Sequence, residues 1–307
     1  DVADRFHAVG RIHPETGLPI VPSRFGWTSV FAEEVLDLAR ADERIVGVTA
    51  AMQQPVGLQP MADALPDRVI DVGIAEQHAL TVSAGMAFAG LHPVVALYAT
   101  FLNRAFDQVL MDVGLHREAV TIVLDRAGLT GTDGASHNGV WDMALLSHVP
   151  GLHLAAPRDE VSLREGLRTA VATTDAPTVL RYPKGALPDP VPALRVLGPQ
   201  DAPFEAVDVL AEPSQEFACD EHLLLVAVGA MTSTVLAAGR ALAGEGRAVT
   251  VVAPRWVVPV PRTLVEAALS AAAVVVVEDG LADGGIGSQL RDALDDAAVR
   301  GGRRSPA

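Results

Sequence analysis

Short apolar runs alternate with longer helix-like stretches along most of this chain, and that alternation constrains the fold more than any other feature. The runs Ile45–Thr49, Pro93–Tyr98 and Val120–Leu124 have the length of strands, and the stretch Ala75–Ala89 between two of them has the length of a helix. A strand followed by a helical crossover normally returns to a parallel neighbour. The pattern therefore predicts an α/β fold built on mainly parallel sheets flanked by helices.

One segment interrupts the alternation and divides the chain into two predicted domains. Residues 187–222 contain several prolines and a polar stretch, which are typical of a linker. They separate a larger α/β domain at residues 27–186 from a smaller one at residues 223–307, so we predict two sheets, one in each domain. Residues 1–26 show no sustained periodicity, and we expect them to form an extended arm.

The chain is strongly acidic, with a formal net charge of −15 at pH 7. An excess of negative charge repels nucleic acids and anionic membranes, so we expect neither as a partner. An anionic small-molecule substrate would need a local cluster of Arg and Lys side chains to overcome the overall charge.

Cysteine content and hydropathy predict a cytoplasmic protein. Cys219 is the single cysteine, so neither an intramolecular disulfide nor a cysteine-based metal cluster can form, and the composition is typical of a reducing compartment. Residues 1–10 are charged and lack the apolar core of a signal peptide. The longest apolar runs, such as Ala271–Val277, are too short to span a bilayer.

Chemically active residue types follow two of the predicted strands. Glu76 stands where a strand ends and a helix begins, and Tyr98 and Phe101 stand at the end of the next strand. Ligands of parallel sheets bind at the carboxyl ends of the strands, so this position favours function. Arg104 lies three residues after Phe101, on roughly the same helical face. Taken alone, Glu76 could instead serve the helix dipole, Phe101 the core and Arg104 the solvated surface.

The loop at residues 125–139 follows a further strand and is dense in ionisable groups. It holds four glycines together with Asp133, Arg126 and His137. Glycine-rich loops bring backbone N–H groups and charged side chains close to a ligand, and a histidine can transfer protons near neutral pH. Because a purely structural loop rarely needs so many ionisable groups, we predict that this one is functional.

A basic pair follows the last strand of the first domain. Arg181 and Lys184, together with Arg126, would supply positive charge at the same sheet edge, as an anionic substrate requires, although ordinary solvated charge is the alternative. The segment Glu278–Gly287 contains four glycines but lacks the Gly-x-Gly-x-x-Gly arrangement of dinucleotide binders. We interpret it as a tight strand-to-helix turn.

Taken in order, these motifs resemble those of 1-deoxy-D-xylulose-5-phosphate synthases. The similarity covers about residues 4–290, and the motifs together are far more specific than any one of them. The matching segments are Thr49–Met52, Ile74–Ala79, Tyr98–Phe101, Arg104–Gln108, Asp125–Gly128, Asp133–Gly134, His137–Gly139 and Arg181–Gly185. The segment Arg5–Val9 resembles the interdomain linker of that family.

The resemblance implies an activity and a set of cofactors. Members of the family are transferases that join pyruvate to glyceraldehyde 3-phosphate, release CO2 and form 1-deoxy-D-xylulose 5-phosphate for isoprenoid and thiamine synthesis. They use thiamine diphosphate and Mg²⁺, and they work as dimers of a three-domain chain. By this resemblance, the chain corresponds to the pyrimidine-binding and C-terminal domains.

Individual residues take roles from the same resemblance. Glu76 resembles the carboxylic acid that exchanges a proton with the cofactor's aminopyrimidine, and Phe101 resembles the ring that stacks on it. Tyr98 and Arg104 join them on the cofactor side, and His7 and His137 resemble active-site histidines. The expected substrate-binding residues are Tyr98, Arg126, Asp133, Arg181 and Lys184.

Three departures from the family's pattern bear on completeness and specificity. The family's N-terminal domain holds Mg²⁺ and the diphosphate through a Gly-Asp-Gly segment and a following Asn, and this sequence has no recognisable equivalent. The family's last strand and helix would follow Ala297, where a Gly/Arg/Pro tail is present instead. Lys184 stands where many relatives have Arg, which keeps the charge but loses the bidentate fork.

We therefore expect an incomplete catalyst that works with a complementary diphosphate-binding domain or subunit, as a homodimer or heterotetramer. Metal ligands are expected from that partner, and the C-terminal domain is expected to be truncated. Two alternatives stay open: a beta-type subunit of a split transketolase or a 2-oxo-acid dehydrogenase, and a non-catalytic protein that retains the fold. The segments Asp133–His137 and Arg181–Lys184 favour the synthase over the other two-chain enzymes.

Overall fold

The computed structural model of the chain describes residues 12–17, 25–213, 222–301 and 306. Among these residues, the strands form one sheet of seven and one of five. The strands are β1 (Ile45–Thr49), β2 (Val69–Asp71), β3 (His92–Tyr98), β4 (Thr121–Ala127), β5 (His153–Ala155), β6 (Thr178–Pro183), β7 (Arg195–Leu197), β8 (Val207–Ala211), β9 (His222–Ala227), β10 (Ala248–Pro254), β11 (Trp256–Val258) and β12 (Ala273–Val277).

Helices cover both sheets. They are α1 (Trp27–Ala41), α2 (Gln59–Ala64), α3 (Glu76–Phe88), α4 (Ala99–Leu102), α5 (Phe106–Gln108), α6 (Asp142–Leu146), α7 (Glu160–Ala172), α8 (Thr232–Gly244), α9 (Arg262–Ala268) and α10 (Ile286–Gly301). A π-helical stretch at Val109–Gly114 continues α5 directly.

Taken together, the two sheets are mainly parallel, as the strand–helix alternation predicts. The first has the order β11-β5-β6-β4-β3-β1-β2, and only its edge strand β11 pairs antiparallel. The second has the order β12-β9-β10-β8-β7, in which β12, β9 and β10 are parallel and the other two strands are antiparallel. Parallel strands direct their carboxyl ends to one edge, so the first sheet gathers the loops that follow β2, β3, β4 and β6.

Residues of β3 alternate between two cores, one on each face of the first sheet. Val95 and Leu97 belong to the core that includes residues of α3, and Val94 and Ala96 belong to the core that includes residues of α1. Successive side chains of a strand point to opposite faces, so a strand buried on both sides must be apolar throughout. This burial explains why β3 is a continuous apolar run in the sequence.

The predicted linker at 187–222 is wrong in part, because it contains two strands of the second sheet. β7 and β8 lie within it, and β8 pairs antiparallel with β10. Val207 and Val209 flank the polar Asp208, a spacing found in strands, but the prolines nearby obscured that pattern. β11, which follows residue 186 in the chain, pairs with β5 of the first sheet. A boundary near residue 186 therefore does not separate the two sheets. Most of the predicted arm at 1–26 lies outside the described residues.

None of the helices in the described ranges combines the length and the apolar character needed to cross a membrane.

His92 lies at the start of β3 in a buried row of polar side chains. Its Nε2 lies 2.8 Å from the Thr121 Oγ1, which lies 2.9 Å from the Thr178 Oγ1. Burial, with a smaller effect from the nearby Arg44 charge, lowers the pKa of His92 from 6.5 to about 4. The folded chain therefore keeps this ring neutral at a pH where the unfolded chain would protonate it.

We expect His92 to make the fold sensitive to acid. The free energy of unfolding should fall as the pH drops from 6.5 towards 4, because the unfolded state then binds a proton that the folded state rejects. Urea denaturation at pH 7.5 and 4.5 should show His92→Asn losing about 2 kcal/mol of that pH dependence. His116→Asn, at an exposed ring, is the control and should change nothing. Equal pH dependence in wild type and His92→Asn would contradict the assignment.

Candidate active site

Side chains from four strand ends meet at the carboxyl edge of the first sheet. Glu76 begins α3 after β2, and Phe101 lies in α4 directly after β3. The loop after β4 carries Asp133 and His137, and Lys184 follows β6. Contacts join Phe101 to His137 and Asp133 to Lys184, and we take this edge of the sheet as the candidate cleft.

Aromatic rings form one wall of this cleft. The rings of Tyr98 and Phe101 are stacked, with centroids 5.8 Å apart and planes 19° apart. The His137 ring meets Phe101 edge-on at 5.8 Å, and the Arg126 guanidinium carbon lies 4.1 Å above the centre of the Tyr98 ring. A wall of this kind favours a planar, electron-poor or cationic ligand ring.

Glu76 is a buried carboxylate that keeps an unused hydrogen-bonding atom. Its side chain is 5% exposed, and its Oε2 lies 3.4 Å from the Arg104 Nε without forming a hydrogen bond. Among the described residues, that oxygen has no hydrogen-bond partner. A buried polar atom without a partner is costly in a folded protein, and it is typical of a site that binds something else.

A cluster of opposite charges lies beside the aromatic wall. Asp133 accepts hydrogen bonds from the Arg126 Nη1 at 3.1 Å and from the Lys184 Nζ at 2.7 Å. The hydrogen bond from Lys184 holds the pKa of Asp133 below its ordinary value, and the charge of Arg126 acts in the same direction. Two cations against one carboxylate leave a local positive charge, which the acidic chain needs to bind an anion.

The backbone at the end of β4 is strained where it presents Arg126. This residue has a φ of 59°, a left-handed conformation that non-glycine residues rarely adopt, and the pairing of β4 with β6 is irregular at the same place. Its neighbour Asp125 is 3% exposed and accepts a 2.6 Å hydrogen bond from the Thr28 Oγ1. Burial raises the pKa of Asp125 to about 6. The sequence motifs assigned no role to Asp125 or Thr28. A charged residue near the end of a buried strand is, however, a signal that could have identified Asp125 as a site residue.

The contacts of Arg181 do not favour its expected role in substrate binding, which stays a prediction. Arg181 is 3% exposed, and its guanidinium donates from Nε to Asp142 at 2.7 Å and from Nη1 to Asp279 at 2.6 Å. It lies within β6, where alternate side chains face opposite sides of the sheet, so it turns away from the face that holds Tyr182. Both of its hydrogen-bonded nitrogens are therefore committed to carboxylates of the chain itself.

The expected catalytic residue His7 lies outside the described residues, so its role stays a prediction.

The described residues fit one end of thiamine diphosphate and not the other. The unused Glu76 oxygen and the ring of Phe101 suit an aminopyrimidine, which offers nitrogen atoms for hydrogen bonding and a flat face for stacking. Within the described ranges, no group of three or more His, Cys, Asp or Glu side chains could hold a metal ion.

The chain is similar in sequence to known protein families and to curated proteins. Residues 23–190 match the transketolase pyrimidine binding domain, and residues 218–305 match the transketolase C-terminal domain. The 1-deoxy-D-xylulose-5-phosphate synthase of Renibacterium salmoninarum is 56% identical over 300 residues, which are 97% of this chain and 45% of that protein. The synthase of Leifsonia xyli subsp. xyli is also 56% identical, over 97% of this chain and 44% of its own length. The chain thus spans a little under half of these curated relatives.

Solved structures show the same architecture. A structure described as a split gene transketolase, inactive beta4 tetramer, is 27% identical with a TM-score of 0.73, covering 87% of this chain and 84% of its own. The transketolase from Leishmania mexicana is 20% identical with a TM-score of 0.71, and the match covers 86% of this chain and 40% of that one. The second likeness is one of fold alone.

Proposed function

The chain belongs to the transketolase pyrimidine-binding domain family, and we propose that it forms the pyrimidine-binding and C-terminal part of a 1-deoxy-D-xylulose-5-phosphate synthase. The proposed reaction joins pyruvate to glyceraldehyde 3-phosphate and releases CO2, which provides a precursor for isoprenoids and thiamine. Identity of 56% to curated synthases over 97% of the chain supports this reaction over others of the fold.

The observation that carries the proposal is the buried Glu76 carboxylate with its unused oxygen, at the same sheet edge as the stacked rings of Tyr98 and Phe101. In the proposed enzyme, Glu76 holds and exchanges a proton at the pyrimidine ring nitrogen, and Phe101 stacks on the ring. Arg104 keeps the carboxylate oriented from 3.4 Å. Thiamine diphosphate, when bound, supplies the carbanion chemistry that side chains cannot provide.

The charge cluster supplies the proposed substrate side. Arg126 and Lys184 carry the positive charge that a phosphorylated acceptor requires, and Asp133 fixes both of them by hydrogen bonds. The Tyr98 ring lies under the Arg126 guanidinium, and His137 lies at the edge of the same wall, where we assign its ring to proton transfer. Arg181 has no part in this proposal because it is buried between two carboxylates.

Completion of the site requires a second part. We propose that a diphosphate-binding domain, in a longer polypeptide or in a separate subunit, provides the Mg²⁺ ligands that the described residues do not offer. Ile74 and Phe88, at the two ends of α3, are 76% and 62% exposed, and large exposed apolar side chains are typical of surfaces covered in an assembly. They support a homodimer or heterotetramer. A single cysteine supports a cytoplasmic location.

A beta-type subunit of a split transketolase is the second candidate. The match to the split gene transketolase covers 87% of this chain and 84% of that one. Its sequence identity to this chain is 27%, about half the 56% of the synthases. We therefore rank the split transketolase second.

Reconstitution tests the proposal and the second candidate together. We expect the chain alone to bind thiamine diphosphate weakly, because Mg²⁺ and the diphosphate lack ligands in its described residues. Joined to or mixed with the diphosphate-binding domain of a relative, it should convert pyruvate and glyceraldehyde 3-phosphate to 1-deoxy-D-xylulose 5-phosphate with release of CO2. Calorimetry measures the first result and product analysis the second.

The other possible results of the reconstitution would favour different functions. Transfer of a two-carbon unit between sugar phosphates without use of pyruvate would favour the split transketolase. Tight Mg²⁺-dependent binding of thiamine diphosphate to the chain alone would refute the need for a second part. A correctly folded mixture that binds cofactor but turns over neither substrate set would support a non-catalytic protein of this fold.

A further inference from the structure

The turn at 278–287 connects β12 to α10, as the sequence predicted, and it also lies against the candidate active site's loop. A Cβ atom added to Gly280 would lie 2.5 Å from the Met143 Cε, and one added to Gly284 would lie 3.1 Å from the Ala144 Cβ. The Gln289 side chain donates to the Met143 carbonyl at 3.4 Å. The second half of the chain therefore packs tightly on α6, which directly follows the loop.

Asp279, in this turn, contacts the beginning of the loop itself. A Cβ atom on Gly128 would lie 2.1 Å from the Asp279 Oδ2, so only a glycine leaves room for the carboxylate. Gly128 also has a φ of +74°, a conformation that favours glycine. The other oxygen, Oδ1, accepts a 2.6 Å hydrogen bond from the Arg181 Nη1, so the carboxylate is fixed between the loop and β6.

Gly128 and Gly139 form what we call the neck of the loop. The Gly128 N–H donates to the Gly139 carbonyl at 2.9 Å, and the Gly139 N–H donates back at 2.8 Å. The ten residues between them include Asp133 and His137. Any shift at the neck therefore moves both site residues, and a displacement of about 1 Å can severely reduce catalysis.

We propose that Asp279 is a positioning residue: it holds the neck closed from the second half of the chain and thereby fixes Asp133 and His137 in the cleft. The consequence for activity rests on the proposed function, while the effect on the loop does not. The cleft is built on the first sheet, yet its geometry then depends on how the turn at 278–287 docks. This dependence gives the second half a direct role in arranging the site.

A matched control exists in the same chain. Asp208 is 1% exposed and accepts hydrogen bonds from the Arg158 Nη1 at 2.5 Å and the Arg255 Nε at 2.9 Å. Asp208 is thus a buried carboxylate paired with two arginines, whereas Asp142 and Asp279 are two carboxylates paired with one arginine. Neither arginine partner of Asp208 belongs to the loop. Loss of Asp208 should weaken the fold without acting on the neck.

Hydrogen–deuterium exchange of the chain tests the proposal without cofactor or substrate. In Asp279→Ala, amides of peptides covering residues 126–141 should exchange faster by a factor on the order of ten, because both neck hydrogen bonds open more often. Asp279→Asn keeps atoms against Gly128 and should exchange at an intermediate rate. Asp208→Ala should leave these peptides within about twofold of wild type, relative to the rest of the chain.

The outcomes decide in either direction. Wild-type exchange of the 126–141 peptides in Asp279→Ala, or an equal increase in Asp208→Ala, would overturn the proposal. If Asp279→Ala unfolds, Asp279→Asn decides, and the proposal then requires faster exchange confined to the 126–141 peptides. In the reconstituted enzyme, Asp279→Ala should raise KM for glyceraldehyde 3-phosphate and Asp208→Ala should not. An absence of synthase activity in the wild type would count against the proposed function and leave the exchange result standing.

Discussion

Glu76→Gln should reduce turnover of the reconstituted enzyme by a factor of about 10²–10⁴, the usual contribution of general acid–base catalysis. Gln has nearly the same size as Glu and can still form hydrogen bonds, so the cleft should keep its shape. It cannot exchange a proton with a pyrimidine ring nitrogen. The buried Oε2 of Glu76, which has no hydrogen-bond partner among the described residues, is the atom we expect to perform that exchange.

The alternative role of Glu76 is stabilisation of α3, and the same variant separates the two. A carboxylate in the first turn of a helix contributes about 0.3–1 kcal/mol through the helix dipole and has no reason to affect chemistry. Asp159→Asn is the matched control, since Asp159 is a buried carboxylate that accepts from the Ser162 N–H at the start of α7. It should lower the melting temperature and leave turnover intact.

The measurements are melting temperature and hydrogen–deuterium exchange at the thiazolium carbon of bound cofactor. We expect Glu76→Gln to slow the exchange strongly with little change in melting temperature. Normal exchange together with a lowered melting temperature would mean that Glu76 only supports the helix, and the proposed catalytic role of this chain would fail.

The sequence could predict Glu76, Phe101 and Lys184 at one edge because each of them stands within five residues of the end of a strand. Parallel strands bring their ends together, so position along the chain is enough to place such residues near each other. The direction of a side chain inside a strand is different, because it depends on register. Arg181 shows this limit: it stands three residues before Lys184, yet it faces buried carboxylates and not the cleft.

Contacts between segments that are distant in the chain could not be predicted from the sequence. Arg181 and Asp279 are 98 positions apart, and nothing in either motif indicates that they meet. β11 was missed for a related reason, since only Arg255 separates it from β10 and no turn residues mark the change from one sheet to the other. Composition gives no information about which sheet an apolar run will join when the choice is made by tertiary packing.

The junction where the turn at 278–287 packs against α6 and β6 contains the buried Asp142. Asp142→Ala should be the most destabilising single change there, lowering the free energy of unfolding by about 3–5 kcal/mol. The side chains of Asp142 and Arg181 are 0% and 2% exposed, and the Nε–Oδ2 distance is 2.7 Å. Burial raises the pKa of Asp142 against the opposing charge of Arg181. Burial alone would lower the pKa of Arg181, but the two carboxylates raise it above its ordinary value, so the guanidinium stays charged.

Removal of Asp142 would leave that charge buried with Asp279 as its remaining partner. The Arg181 Nη2 already has no hydrogen-bond partner among the described residues, so a second unpaired nitrogen adds to an existing cost. The double variant Asp142→Leu with Arg181→Met should recover part of the loss, because it removes the unpaired guanidinium charge but leaves the Asp279 carboxylate without its arginine.

Urea denaturation of both variants measures the effect, and Asp175→Ala provides the comparison at the surface. Asp175 pairs with Arg117 at 3.6 Å, but the two side chains are 81% and 65% exposed, so its loss should leave the unfolding midpoint unchanged. A similarly small effect of Asp142→Ala would show that water reaches Arg181 in solution. The junction would then be open, and the tight docking of Asp279 on the neck of the loop would lose its physical basis.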